Sequence, residues 1–275
     1  MQTRVEIADF ENWRVVAEDA AKVLRAGEVV ALPTETVYGL GADAFNAEAV
    51  AKVFEAKGRP SFDPLIVHIA GIRDLQRVAV VSEELEDVVR QLAKAFWPGP
   101  LTMVLPKHED IPDLVTSGLP TVAVRVSKHE FMRLLSKDLG PIAAPSANRF
   151  GRISPTSASA VLDELKGRIP LVVDGGACSN GLESTIIAVE VGEKRPVLKL
   201  LRPGPVTREE LQKFGKVPRA GRGADDRPEA PGSLDSHYAP EIPVLLHNSP
   251  EEFQPEDGKR YALLSYRGEA KDGYL

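Results

Sequence analysis

Residues 55–69 read EAKGRPSFDPLIVHI. The first residues close an amphipathic run, AEAVAKVFEA, that has helical spacing and Asn46 as its cap. The last six, PLIVHI, form a short apolar run with the length and β-branching of a buried strand. A helix handing over to a buried strand through a tight loop is a building unit of an α/β fold. Between the two stand Lys57 and Arg59, either side of Gly58, with Pro60 stiffening the exit. Such a pair either decorates a helix C-terminus, where the macrodipole favours positive charge, or converges on an anion.

The same alternation extends in both directions. Upstream, DFENWRVVAEDAAKVLRAG places Val16, Ala20, Val23 and Leu24 at helical spacing, with Gly27 where a left-handed cap falls, and EVVALP reads as a strand stopped by Pro33. TETVYGLGADA reads as a turn-rich segment. Downstream, SEELEDVVRQLAKAF is a helix behind Ser82, while KHEFMRLLSK, SASAVLDEL and TREELQKF, the last with a Thr207–Glu210 capping box, are further helices. LTMVL, TVAVRV, PIAA, PLVVDG, STIIAVEV and PVLKLL are strands. Strands and helices alternate without strict order, which predicts an α/β domain around a twisted mixed sheet flanked by helices. We expect this domain over residues 1–216. A Gly-, Pro- and charge-rich linker or active-site strap follows over 217–240, and residues 241–275 carry IPVLLH and RYALLSY as the start of a short, incomplete second α/β domain.

With 275 residues, 43% hydrophobic and 27% charged, the chain has the composition of an ordinary globular protein. Its formal net charge of −6 argues against a broad nucleic-acid-binding face and leaves room only for a local basic cleft. Cys178 is the single cysteine, which excludes an intrachain disulfide and a multi-cysteine metal site and fits a reducing cytoplasm. Neither a signal peptide nor a long apolar span is evident, so a cytoplasmic location without a membrane is expected.

Several phosphate and catalytic signatures fail. Gly215–Lys216 and Gly258–Lys259 are followed by Val217 and Arg260, so no P-loop is present. Gly39, Gly41 and Ala44 fit G-x-G-x-x-A after a strand, a pattern that a tight turn also satisfies. No H-E-x-x-H or spaced Cys/His set supports zinc catalysis, and S-x-x-K and K-T-G, which the serine acyl-hydrolases that combine a Ser nucleophile, a Lys and a Ser-x-Asn element also need, are missing. What remains is polar and scattered. PIAAPSANRFGRISPTS runs from a strand into a small-residue turn bearing Ser146 and Asn148, then reaches Ser154; such a turn is either a helix cap or a cradle for phosphate oxygens. TVAVRV embeds Arg125 in an apolar strand, where a guanidinium requires an internal carboxylate or an anionic ligand. Arg202 ends a strand before a Pro–Gly turn. Thr34, Thr36, Ser184 and Thr185 sit at strand edges as turn hydroxyls or ligand contacts. His68 in its strand is either packed or a ligand, and Cys178 lacks a pairing histidine for a nucleophile.

Taken in order, PTETVYGLGADA, KGRP, PLIVHI, WPGPLT, TVAVRV, APSAN, SPT, ESTI and LRPG resemble the YrdC-type threonylcarbamoyl-adenylate synthases over about residues 15–215. APGSLDSHYAP is similar to the linker of their long, two-domain form. The resemblance implies a nucleotidyltransferase that condenses L-threonine, bicarbonate or CO2 and ATP into threonylcarbamoyl-AMP and pyrophosphate for tRNA threonylcarbamoyladenosine modification. Mg2+ would accompany ATP with no protein ligands identified, and the partners would be downstream threonylcarbamoyl transferase proteins, with a weak RNA contact. It implies Lys57 and Arg59 as catalytic cations; Ser61, Thr121, Ser146, Asn148, Ser154, Arg202 and His237 with them at ATP; and Thr34, His68, Arg125, Ala144 and Ser184 at threonine. His237 and Tyr238 of the linker would cover the site. An RNA-binding module using the same basic cleft is the alternative.

Overall fold

The computed structural model describes residues 1–218 together with 244–247, 252–254, 258 and 260–263. The chain divides into a unit of Met1–Ala239 and one of Pro240–Leu275. In the first, strands β1 (Arg4–Ile7), β2 (Val30–Leu32), β3 (Gly39–Asp43), β4 (Ile66–His68), β5 (Leu101–Pro106), β6 (Thr121–Arg125), β7 (Ile142–Ala143), β8 (Leu171–Asp174), β9 (Thr185–Glu190) and β10 (Val197–Arg202) form one mixed sheet. Their order is β1-β8-β2-β3-β7-β4-β6-β5-β9-β10. Helices α1 (Trp13–Arg25), α2 (Ala47–Lys57), α3 (Glu83–Phe96), α4 (Asp113–Thr116), α5 (Glu130–Leu139), α6 (Ala158–Leu165) and α7 (Arg208–Leu211) connect them, with a 3-10 turn at Ile72–Arg77. The mixed α/β sheet expected from the sequence is present. No described helix is long and apolar enough to cross a membrane.

The local signals act as their chemistry dictates. Asn46 Oδ1 accepts from the amides of Glu48 and Ala49 at the start of α2. Gly58, at φ +61°, lets the chain turn left-handed and stop that helix. The glycine between the two cations is therefore what points the chain out of the helix and into β4. Thr207 and Glu210 close the expected capping box. Ser82 stands at the start of α3, but its side chain makes no capping hydrogen bond.

Two expectations need correction. Within the segment read as turn-rich, Gly39–Asp43 is the strand β3, paired with β2 and β7. Its small residues are dictated by crowding rather than by turn chemistry. A Cβ on Gly41 would stand 2.7 Å from Leu32 Cδ1 and 3.0 Å from Ile142 Cγ2. The strands expected at IPVLLH and RYALLSY fall partly outside the described residues, and the described parts, 244–247 and 260–263, carry no strand. In that second unit Phe253 lies 5.2 Å from His247 and 4.9 Å from Tyr261, ring centre to ring centre.

Strand alternation divides the sheet's residues between two faces. On one face Val67, Met103, Val124 and Ile187 join Val50 and Val53 of α2 and Val88, Val89 and Leu92 of α3 in a single core. On the other, α1 and α5 cover only the region of β2, β7 and β8, packing Val16, Ala20, Leu24, Phe131 and Leu135 on Val30, Leu32, Ile142 and Leu171. The rest of that face carries a small apolar floor of Ile66, Val104, Ala123 and Ile186. Half a sheet face thus remains for something other than a helix.

Gly204, in the turn after β10, rests directly on the start of β9. A Cβ there would lie 2.5 Å from the Thr185 amide nitrogen and 2.7 Å from the Glu183 carbonyl oxygen, both rigid backbone atoms. Gly204→Ala is expected to cost about 1–3 kcal/mol, read as a lowered urea midpoint with an unchanged m-value; an unchanged midpoint would mean the turn can shift freely.

Candidate functional site

The open half-face is where the polar strand residues emerge. In LIVHI the even positions Ile66 and His68 share a face, and in TVAVR so do Ala123 and Arg125. Registry pairs His68 with Arg125 and Arg125 with Thr102. Around them a hollow is lined by Thr34, Thr36, Gly39, Arg59, His68, Arg125, Ala144, Ser146, Glu183, Ser184 and Arg202, among others. A second, more open depression, at Phe45, Gln76, Arg77, His108 and Asp110, gathers none of the expected residues.

Arg125 is 3% exposed, and its compensating charge is internal. Its Nη2 lies 2.7 Å from Oε1 of Glu35, Nη1 donates to Thr36 Oγ1 at 2.8 Å, and Nε donates to the Gly99 carbonyl at 3.2 Å. Glu35 in turn accepts a 2.5 Å hydrogen bond from Ser127 Oγ. Burial opposes ionisation of Glu35, but Arg125 and the Ser127 hydroxyl outweigh it and hold the carboxyl at about 2. Sequence reasoning picked out Thr34 and Thr36 and passed over the acid between them. The signal was available, since a strand-embedded arginine demands a buried carboxylate.

Lys57 is 2% exposed. Its Nζ donates to the carbonyls of Ser146 at 2.6 Å and Asn148 at 2.5 Å, residues 89 and 91 positions away. Burial, then the neighbouring Arg59, pushes its pKa well below that of a free lysine. Arg59 donates to the carbonyls of Asp63 and Pro64, and its Nη2 meets the Asp63 carboxylate at 2.8 Å. Asn148 spends its amide on the carbonyls of Arg149 and Arg152. The two cations thus define the loops at the hollow's edge: Lys57 staples the Ser146–Asn148 turn, and Arg59 lines the hollow with Asp63 behind it.

On the remaining wall, Arg202 Nε donates to the Ser184 carbonyl and Nη2 to Ser184 Oγ, which also lies 2.7 Å from Thr102 Oγ1. Ser154 is brought in through Glu183, to whose Oε1 it donates at 2.5 Å. Thr34 lines the hollow while its hydroxyl donates to the Val37 carbonyl, a turn bond of the kind its sequence position allows. His68 is held neutral, its pKa depressed to about 3 by burial and then by Arg125, and its Nδ1 has no hydrogen-bond partner among the described residues.

Of the expected residues, Lys57, Asn148 and Ser154 stand outside the lining itself, and Ser61 and Thr121 are not brought to the hollow. Ser61 is exposed on the loop after Pro60, because that loop turns outward before Asp63 returns to the core. Thr121 opens β6 at the end away from Arg125, four residues or about 13 Å along the strand. His237, like Tyr238, lies outside the described residues. Thr185 turns from the hollow to bond Val206 at both its amide and its carbonyl. Burial pushes the Cys178 thiol up to about 11, so it stays protonated and unreactive at neutral pH. Glu35, Thr102, Asp63 and Glu183 are the site residues that sequence reasoning missed.

Comparison with known proteins gives a consistent result. Residues 22–204 match the Sua5–YciO–YrdC family model, described as telomere recombination, and 206–273 match the model of the threonylcarbamoyl-AMP synthase C-terminal domain. The chain is 45% identical to the threonylcarbamoyl-AMP synthase of Pyrococcus abyssi over 88% of its length and 70% of that protein's. It is 44% identical to that of Bacillus subtilis, over 90% and 72%. The crystal structure of P. abyssi Sua5 complexed with L-threonine superposes with a TM-score of 0.76 at 44% identity, covering 87% of this chain and 69% of that one.

Removing Glu35 tests the pair directly. Glu35→Ala leaves a buried, uncompensated guanidinium and should cost about 3–5 kcal/mol. Because the folded pKa is depressed from 4.5 to about 2, the pair's contribution is complete above pH 4.5 and is lost as pH falls toward 2. Acid titration of stability should therefore show a component over that window in the wild type that Glu35→Gln lacks; identical acid limbs would refute the assignment.

Proposed function

We propose, from the premise that the chain belongs to the Sua5–YciO–YrdC family of threonylcarbamoyl-AMP synthases, that the hollow on the open sheet face is where L-threonine, bicarbonate and ATP meet. The activity is formation of threonylcarbamoyl-AMP, an adenylate destined for tRNA modification. The observation that carries this reading is the 2.6 Å contact between Lys57 and the Ser146 turn, which joins the two parts of the expected nucleotide site across 89 residues.

In the proposed reaction the threonine amine combines with bicarbonate or CO2 to give an N-carboxy anion, whose oxygen attacks the α-phosphorus of ATP and expels pyrophosphate. No protein nucleophile is required, so the residues' work is alignment and charge compensation. Arg125, set by Glu35, would receive the threonine carboxylate, and the unpartnered nitrogen of neutral His68 suits the threonine hydroxyl; Thr34, Ala144 and Ser184 complete that side. Ser146, Asn148, Ser154, Arg59 and Arg202 would frame the phosphates, with Lys57 placing charge behind the turn that cradles them. Mg2+ would enter bound to ATP, offsetting phosphate charge. His237 of the linker would close over the nucleotide. The adenylate then passes to a threonylcarbamoyl transferase, and any RNA contact at this stage is weak.

The experiment is to supply ATP, Mg2+, bicarbonate and single amino acids in turn and assay pyrophosphate. Release that requires threonine and bicarbonate together is expected; release with either alone would overturn the reading. Lys57→Met should lower the rate by about a hundredfold to a thousandfold while the protein still melts cooperatively, and near-normal turnover would remove Lys57 from the machinery.

A further inference from the structure

Among the described residues lining the hollow, Glu183 carries the single carboxylate. Two other acids stand near the site but are already engaged: Glu35 is 5% exposed against Arg125, and Asp63 is fully buried against Arg59. Glu183 differs in exposure and in partner. It is half-buried, and the hydrogen bond it receives comes from the neutral hydroxyl of Ser154.

A carboxylate in a hollow built for phosphates is a liability unless a positive group meets it there, since like charges at close range repel. Its place in the chain narrows which group. Glu183 bonds to Ser154, on the proposed nucleotide side, and immediately precedes Ser184, on the proposed threonine side, whose hydroxyl touches Thr102 and Arg202. It therefore stands at the seam between the two subsites, where the amine of an amino acid must lie if its N-carboxy oxygen is to reach the α-phosphorus.

We infer that Glu183 receives the ammonium group of the amino-acid substrate and takes up the proton that carboxylation sets free. This rests on the proposed reaction. The balance is R–NH3+ plus HCO3− giving R–NH–COO−, water and one proton. The N–C bond forms, a C–O bond of bicarbonate breaks with its oxygen leaving as water, and no electrons change hands. Partly open to solvent, Glu183 accepts the proton and returns it to solvent before the next turnover. No other side chain around the hollow suits this role. Arg59, Arg125 and Arg202 are cations that do not release protons near neutrality, Lys57 stands behind the Ser146 turn, and His68 is buried at 3% exposure beside Arg125.

Glu183→Gln tests it, because glutamine keeps the size and the acceptor for Ser154 while abolishing charge and basicity. Pyrophosphate release should fall about a hundredfold at pH 7. The deficit should shrink as pH rises toward the ammonium pKa of the free amino acid, which lies above the roughly 8 of a peptide N-terminus, because the substrate then arrives increasingly deprotonated. MgATP affinity, measured by calorimetry on the same variant, should be unchanged or tighter. A deficit constant with pH would mark Glu183 as structural, weaker MgATP binding would mark it as a metal contact or a fold defect, and a wild-type rate would leave it idle; each overturns the inference. If the wild type itself releases pyrophosphate without bicarbonate, the activity reading fails first and takes this inference with it.

Discussion

A guanidinium inside a β-sheet sets the terms for this molecule. Arg125 sits at the end of β6 with 3% of its surface exposed, flanked in registry by His68 and Thr102. Its charge cannot remain there uncompensated. The compensation comes from Glu35, in the connection between β2 and β3, and with it come Thr36 on Nη1 and the Gly99 carbonyl on Nε. One side chain thereby fixes the position of two loops that the sheet alone would leave free. Ser127, two residues beyond Arg125, completes the arrangement by donating to Glu35 from the far side.

The same logic governs the opposite edge of the hollow. Lys57 holds the Ser146 and Asn148 carbonyls, and Arg59 holds those of Asp63 and Pro64. These are loops that would otherwise sample many conformations, so tying them down in advance removes an ordering cost that substrates would meet on binding. The arrangement is expensive in desolvation: a lysine pushed well below its normal pKa by burial reports how unfavourable its location is. A fold selected only for stability would fill this half-face with a helix, as α1 and α5 fill the other half.

How far the sequence discloses this depends on the scale of the interaction. Helices with a strong apolar stripe were legible because burial of one face is a local, periodic signal: α3 buries Leu85, Val88, Val89, Leu92 and Ala93 in the expected rhythm. Caps at Asn46 and Thr207 were legible for the same reason. β3 was not, because its glycines are set by the side chains of Leu32 and Ile142, which belong to other strands. In the site, the residues with conspicuous chemistry in an odd place, such as Arg125 in an apolar strand, could be marked. Their partners could not. Glu35 and Asp63 look like ordinary loop acids until the fold places them 2.7 and 2.8 Å from an arginine.

This asymmetry has a chemical reason. The proposed condensation, which needs no protein nucleophile, offers no catalytic triad to search for; its requirement is that several cations be held close together without repelling one another apart. The hollow meets it by setting acids behind two of its arginines: Asp63 at Arg59 and Glu35 at Arg125, each almost wholly buried. These acids lower the self-repulsion of the cations that surround the hollow. Charge of the opposite sign is thus kept within the walls, while the substrate-facing surface stays rich in donors. Glu183 is the one lining acid among the described residues, it bonds a neutral hydroxyl rather than an arginine, and that departure is where the reaction's own positive charge belongs.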